Sequence, residues 1–434
     1  MNAEIISVGT ELLLGNILNI NAQFLSRELA ALGISVLRQS TIGDNPARLA
    51  DWVNEARERA DLLVFTGGLG PTADDLTKET VAACYHDTLV FDEDEWRRIE
   101  GYFVRTGRAP TPNNRKQAMV PVRGEKIENA HGTAPGVWFA DGGKQAVLMP
   151  GVPREMRAMW QESVRPRLAA AQRQTLISTT LRVVGGESSI ETAIAPLLEH
   201  ENPTAAIYCK TGECEIRITA RAADAAEGQA MCAAYAEKFR AVLGDAVYDA
   251  DVPGPAWTIV RLLRERGKTA AVAESCTGGL IAAQITEVPG ASDVFGFGYV
   301  TYWEEAKQKL LGVSPRVIEQ YNVVSAPVAA QMALGAKEAS GADYAVGITG
   351  LAGPGGGDAE RPVGTVYLAV AGENTVWVQH LTLADTGRQE IRLRAARAAI
   401  ELLRRAVLAL PIRGQALCFD EVRAAKLPQA AERR

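Results

Sequence analysis

The sequence predicts a multidomain α/β protein, on three observations. Its 434 residues amount to about three folded units at roughly 150 residues each. Short β-branched runs alternate with amphipathic segments over residues 1–170, the pattern of a parallel sheet covered by helices, and a second α/β stretch runs over 255–410. Between them, residues 175–251 switch to strand, helix, two strands and helix, a small α+β module.

In the first stretch, Ile5 to Val8, Ile34 to Leu37 and Leu62 to Phe65 read as strands, and Ala22 to Leu32 and Arg48 to Ala60 as helices. Gly, Asn or Thr stands at each strand-to-helix junction, where α/β folds place ligands. In the middle stretch, Leu181 to Val184 precedes a helix near Ser189 to His200. Ala205 to Lys210 and Glu213 to Ala220 form a hairpin around Thr211-Gly212, and an Ala-rich helix runs from Ala222 to Leu243. Pro253-Gly254-Pro255 marks a linker. A helix to Glu265, a strand over Thr269 to Ala273 and a final helix from Arg388 to Leu408 follow. Residues 411–434, polar and Ala-rich, are expected to be a flexible tail with at most a short helix.

Composition narrows the function classes. With 47% apolar and 23% charged residues the chain is neither disordered nor collagen-like. Its 46 basic and 52 acidic side chains leave a net charge of −6, so no overall attraction to nucleic acid or anionic membrane follows. Met1 to Gly9 has neither a basic nor an apolar leader region, and runs such as Ala345 to Ile348 are far short of the roughly 18 residues that span a bilayer. A cytoplasmic protein without a membrane span is expected. The cysteines at 84, 209, 214, 232, 276 and 418 form no CxxC and are expected to be reduced thiols.

The C-terminal chemistry starts at Ala273-Glu274-Ser275-Cys276-Thr277-Gly278-Gly279, which leaves a strand and opens a helix. Ser275 stands at that turn, and the N–H groups near Gly278 and Gly279 offer an oxyanion or phosphate site. An N-cap by Ser275 or Thr277 explains the same local sequence. Beyond residue 255 the only histidine is His380, inside an alternating strand, so a Ser-His-Asp triad is not expected. A nucleophilic Ser275 then needs a neutral lysine, from Lys268, Lys307, Lys309 and Lys337. Lys307 follows Tyr302 closely enough for both to face one strand end; a surface pair with Glu304 is the competing explanation. A third junction, Thr349-Gly350-Leu351-Ala352-Gly353-Pro354-Gly355, is either an anion or amide cradle or a flexible loop.

These three motifs resemble the signatures of the C-terminal domain of the competence/damage-inducible protein CinA family. That domain, also found alone as PncC, hydrolyses nicotinamide mononucleotide to nicotinic acid mononucleotide and ammonia. The resemblance implies Ser275 as nucleophile, Lys307 as base, Tyr302 beside both, and Thr349 and Arg388 in the site, with no metal or cofactor. It also implies substrate contacts at Thr277, Gly278, Gly279, Gly350 and Gly353. The family usually shows Tyr-Ser-Asn where this chain has Tyr302-Trp303-Glu304-Glu305.

At the N-terminal side, Thr66-Gly67-Gly68-Leu69-Gly70-Pro71-Thr72-Ala73-Asp74-Asp75-Leu76-Thr77 joins a strand to a helix. Gly67, Gly68 and Gly70 let N–H groups face an anion, and Asp74 with Asp75 suits Mg²⁺ bridging phosphates; a helix cap after a tight turn is the alternative. With Gly9-Thr10-Glu11, Asn19-Ile20-Asn21 and Pro150-Gly151-Val152-Pro153, this run resembles the molybdopterin-binding fold of MoaB, MogA and MoeA, and more closely the N-terminal domain of CinA. That resemblance implies an ADP-ribose pyrophosphatase dependent on Mg²⁺, Mn²⁺ or Co²⁺, giving AMP and ribose 5-phosphate. Glu11, Asp74 and Asp75 are its candidate ligands, and Thr72 and Thr77 belong to its substrate site. Molybdopterin binding is the competing reading of the same fold.

The middle stretch resembles the KH-like domain of CinA proteins, but Gly185-Gly186-Glu187-Ser188 lacks a basic GxxG clamp, so a spacer or dimerisation role is expected and nucleic-acid binding is not. Arg388, Arg392, Arg394, Arg397, Arg404 and Arg405 read as a solvated helix face, with Arg388 dipping into the site. A competence-related nucleic-acid-binding scaffold is the non-enzymatic alternative. A homodimer is the default assembly.

Overall fold

The computed structural model describes residues 1–171 and 175–425. The chain divides into two compact units, Met1–Ser178 with Ala220–Met231, and Thr179–Thr219 with the chain from Cys232. The middle segment is shared between them.

The first unit contains β1 (Asn2–Val8), β2 (Ser35–Ile42), β3 (Leu62–Thr66), a separate pair β4 (Leu89–Phe91) and β5 (Met119–Pro121), then β6 (Glu125–Ile127), β7 (Gly136–Asp141) and β8 (Lys144–Met149). The main sheet runs β2-β1-β3-β8-β7-β6. Its first four strands are parallel, whereas β7 is antiparallel to β6 and β8, so the sheet is mixed rather than wholly parallel as expected. The cause is local: Gly142 and Gly143, with φ of 57° and 79°, make a two-residue hairpin between Asp141 and Lys144. Alternation along β1 sends Ile5 into a core with Leu25, Leu29, Met156 and Trp160, and Ile6 into one with Val53, Phe65 and Val81.

The middle segment supplies β9 (Thr175–Val183), β10 (Thr204–Lys210), β11 (Glu213–Ala222) and β12 (Val247–Ala250), ordered β10-β11-β9-β12. Thr211 and Gly212 form the turn between β10 and β11, with Gly212 at φ 75°.

The remaining strands are β13 (Ala270–Glu274), β14 (Phe295–Val300), β15 (Tyr344–Gly350), β16 (Thr365–Ala371), β17 (Thr375–Thr382) and β18 (Gln415–Cys418), in the order β14-β13-β15-β16-β17-β18. β13 lies between two parallel neighbours, Glu274 standing opposite Val300 on one side and Ile348 on the other. Three strand C-termini therefore open at one edge, where α/β sheets expose their sites.

Two expectations need correction here. Residues 411–434 are not simply a tail: β18 pairs antiparallel with β17, and the short helix Phe419–Arg423 buries Val422 in a cluster with Leu417, Val376 and Val378. Residues 426–434 lie outside the described part. The arginines of Arg388–Leu408 are not a solvated face either. Arg404 is buried on Glu401 and the Asp245 carbonyl, Arg397 reaches Thr211 and Glu213, and Arg392 turns to the loop after β13. Among the described residues no helix is long and apolar enough to cross a membrane. Among the described residues none of the six cysteines is in a disulfide.

Candidate functional site

Ser275 directly follows β13, its N–H donating to the Ile348 carbonyl at 3.1 Å. The preceding Glu274 is fully buried, and its carboxylate accepts from the N–H groups of Gly279 (3.1 Å), Ile281 (3.0 Å) and Ala282 (2.8 Å). It thereby occupies first-turn donors of the helix Leu280–Thr286 that would otherwise be open. The Gly278 N–H is used as well, donating to the Ser275 carbonyl at 3.0 Å. The oxyanion hole expected from Gly278 and Gly279 is therefore closed off by the protein's own groups. Both glycines adopt left-handed φ, 59° and 92°, so their role is to turn the chain. Arg392 holds the opposite polarity of the same loop, donating to the carbonyls of Cys276 (3.2 Å) and Thr277 (2.6 Å). Thr277 is buried beneath, and Thr277, Gly278 and Gly279 do not line the cavity above Ser275.

Lys307 comes from the helix Glu304–Leu311 and reaches back across the end of β14. It is fully buried, and its Nζ lies 3.1 Å from Ser275 Oγ, 2.7 Å from the Thr301 carbonyl and 3.3 Å from the Tyr302 carbonyl. A hydroxyl and two carbonyls surround the amine, and among the described residues no carboxylate bonds it. Burial lowers its pKa to about 8, against a smaller upward pull from Glu304. The neighbouring Cys276 thiol is pushed by burial up to about 12, so it stays protonated at neutral pH. Arg388 donates to the Gly353 carbonyl (2.7 Å) and to Tyr302 Oη (2.9 Å), while Thr349 Oγ1 donates to the Val323 carbonyl (2.9 Å).

Ser275, Lys307, Tyr302, Thr349, Gly350, Gly353 and Arg388 line one cavity of about 900 Å³. Trp303, Glu304 and Glu305 also line it, so the segment where this chain departs from the family's Tyr-Ser-Asn faces the cavity; Cys276 and Val323 line it too, with no role read for them from the sequence. His380 stacks on Tyr367 with ring centroids 4.6 Å apart and is not among the lining residues.

The first unit has its own cavity, about 830 Å³, lined by Glu11, Gly67, Gly68, Gly70, Asp74 and Asp75 with Asn19, Asn21 and Asp44. Close packing fixes its glycine loop: a Cβ on Gly67 would stand 2.1 Å from the Val8 carbonyl oxygen at a φ of +104°. A Cβ on Gly68 would meet Thr77 Oγ1 at 1.9 Å. Thr77 is thus a buried prop, donating its N–H to the Gly68 carbonyl at 3.2 Å, and Thr72 is tied to Asp75 at 2.9 Å. Neither threonine lines the cavity, contrary to expectation. The expected metal ligands share the cavity wall without converging. Among the described residues no group of three or more His, Cys, Asp or Glu side chains could hold an ion. Two of the lining carboxylates are engaged by protein donors, Asp75 by Thr72 and Asp44 by Thr10.

Domain families match the chain at three places: CinA C-terminal domain over residues 255–407, Probable molybdopterin binding domain over 4–170, and Damage-inducible protein CinA KH domain over 178–248. The fold is therefore multidomain α/β, with a MoaB/MogA-like N-terminal domain, a KH-like middle domain and a CinA C-terminal domain. A CinA-like protein from Synechococcus elongatus is 47% identical over 413 residues, covering 94% of this chain and 98% of its own. Another CinA-like protein, from Desulfovibrio desulfuricans, is 44% identical over 416 residues, covering 95% and 97%. With such identity over nearly the whole length, the chain belongs to the competence/damage-inducible CinA family. Among solved structures, CinA from Thermoplasma acidophilum is 39% identical over 38% of this chain and 97% of its own, with a TM-score of 0.36. A competence/damage-inducible protein from Agrobacterium tumefaciens is 44% identical over 35% and 94%, with a TM-score of 0.33.

Proposed function

We propose that the C-terminal cavity is a serine–lysine amidohydrolase acting on nicotinamide mononucleotide in the cytoplasm. The observation that carries this reading is the buried Lys307 amine 3.1 Å from Ser275 Oγ, with a pKa of about 8. Neutral Lys307 takes the Ser275 proton, and the alkoxide adds to the carboxamide carbon. The resulting ammonium returns the proton to the leaving nitrogen as the tetrahedral intermediate collapses, releasing ammonia and leaving an ester on Ser275. Water, deprotonated by Lys307, then cleaves that ester to nicotinic acid mononucleotide and restores the serine. With Gly278 and Gly279 committed elsewhere, the N–H of Cys276, the residue after the nucleophile, is the candidate oxyanion donor. Arg388 supplies positive charge for the phosphate. Ammonia release from nicotinamide mononucleotide by the full chain tests the reading: Ser275→Ala and Lys307→Ala should each abolish it with the fold intact, and normal turnover in Ser275→Ala would reject it.

For the N-terminal cavity we propose a nucleotide diphosphate site, with hydrolysis of ADP-ribose to AMP and ribose 5-phosphate as its activity. Its support is the glycine loop whose backbone lines a cavity of nucleotide size. The absence, among the described residues, of a converging carboxylate trio favours a second reading, binding of a molybdopterin-like ligand without hydrolysis. AMP formation with Mg²⁺, Mn²⁺ or Co²⁺ decides for the first; none, with tight pterin binding, decides for the second.

A further inference from the structure

We propose that Trp303, with Glu304 and Glu305, forms a recognition face for a planar cationic ring, so that the C-terminal cavity selects N-substituted pyridinium carboxamides over neutral ones. What is then cut rests on the amidohydrolase reading, but the recognition can be measured without cutting.

Trp303 is 73% exposed and Tyr302 54%, yet both line the cavity that holds Ser275 and Lys307. An indole left this open adds little to the core, and its face is free to accept a ligand. Among aromatic side chains indole attracts cations most strongly. Trp303 immediately precedes the helix Glu304–Leu311, whose first turn places two carboxylates beside it. Both Glu304 and Glu305 line the cavity, and no ion pair neutralises either among the described residues. Their combined field lowers the energy of a positive ring at this wall. The same cavity is also lined by Gly353, from the loop after β15, and by the Arg388 guanidinium that bridges Gly353 to Tyr302.

The cavity therefore carries an aromatic, negative wall from one element and a positive group from another. A pyridinium nucleotide carries a complement to each, a cationic ring and an anionic phosphate; free nicotinamide has neither. Glu304 cannot be moved far from this role without a second effect, because the same carboxylate acts on Lys307.

The test uses the full-length Ser275→Ala protein, which binds without turnover, and two probes lacking phosphate: 1-methylnicotinamide, a cation, and nicotinamide, neutral. Calorimetric titration should show the cation binding about 3- to 30-fold tighter. Adding Trp303→Leu should remove that preference, Trp303→Phe should keep part of it, and Glu304→Gln with Glu305→Gln should lower it and flatten its salt dependence. Equal affinity for the two probes, or undiminished preference in both the Trp303→Leu and the double Gln variant, overturns the proposal. Cation preference without ammonia release from the native chain would sink the amidohydrolase reading and leave this one standing; equal binding alongside normal turnover would do the reverse.

Discussion

Replacing Lys307 with arginine separates a base from a mere positive charge. Arginine keeps a cation and its donors near Ser275 Oγ, but a guanidinium does not give up its proton in a protein. With a pKa of about 8, about one Lys307 in ten is neutral at pH 7; at the usual 10.5 it would be about one in 3,000. Burial thus raises the population of competent base about 300-fold, and the arginine variant forfeits all of it. General-base catalysis contributes about 10²- to 10⁴-fold, so Lys307→Arg should lower kcat for ammonia release at least about 100-fold. The native enzyme should gain about tenfold per pH unit below about 8 and level off above it, because the reactive form is the deprotonated one. Glu304→Gln removes an influence that raises the Lys307 pKa, so its acid limb should move to lower pH. Coupled ammonia assays between about pH 6 and pH 9 read both effects. A profile flat below pH 8, or an arginine variant within about threefold of native, would refute the neutral-lysine mechanism.

Three other outcomes follow from the packing. Arg392→Ala removes charged hydrogen bonds to the carbonyls of Cys276 and Thr277, each worth about 1.5–3 kcal/mol, and should lower both kcat and the urea midpoint, with Arg392→Lys restoring part of each. Gly67→Ala forces a Cβ onto the Val8 carbonyl at a left-handed φ; it should cost at least about 1–3 kcal/mol and abolish ligand binding in the N-terminal cavity, read by denaturation and ADP-ribose titration. Ending the chain at Pro411 strips Leu417 and Val422 from the core, at about 1.5–3 kcal/mol each, and leaves β17 as an open edge; lower thermal stability and greater aggregation should result, whereas a dispensable tail would leave both unchanged.

Where the sequence carried a conformational demand, it was legible. Gly278 and Gly279 announce a turn that only glycine adopts readily, and the helix Arg388–Leu408 was readable to its ends from its apolar spacing, with Gly387 before it. Eliminating histidine left four lysines open as partners for Ser275, the family resemblance singled out Lys307, and the parallel placement of β13 beside β14 is what brings the two together. Gly142-Gly143 was an available hairpin signal, and it is the one that turns the first sheet from parallel to mixed. β18 was hidden because its four residues are too few to show alternation; pairing to β17 defines it.

Glu274 was hidden for a different reason. Side-chain bonds to backbone amides leave no partner residue in the sequence, so a carboxylate next to Ser275 reads as part of the strand or of the chemistry. In the structure its backbone closes β13, but its side chain does not line the cavity. By filling the donors of the following helix it denies them to substrate, and with Arg392 on the carbonyl side it fixes the Ser275 turn from both polarities. Arg392 lies one turn beyond Arg388, so a single helix face carries one arginine to the loop carbonyls and another to Tyr302. The positive charge near Ser275 is thus divided between holding the loop and facing the cavity. Lys307, with no carboxylate among the described residues bonded to its amine, is left as the group placed to exchange a proton with Ser275.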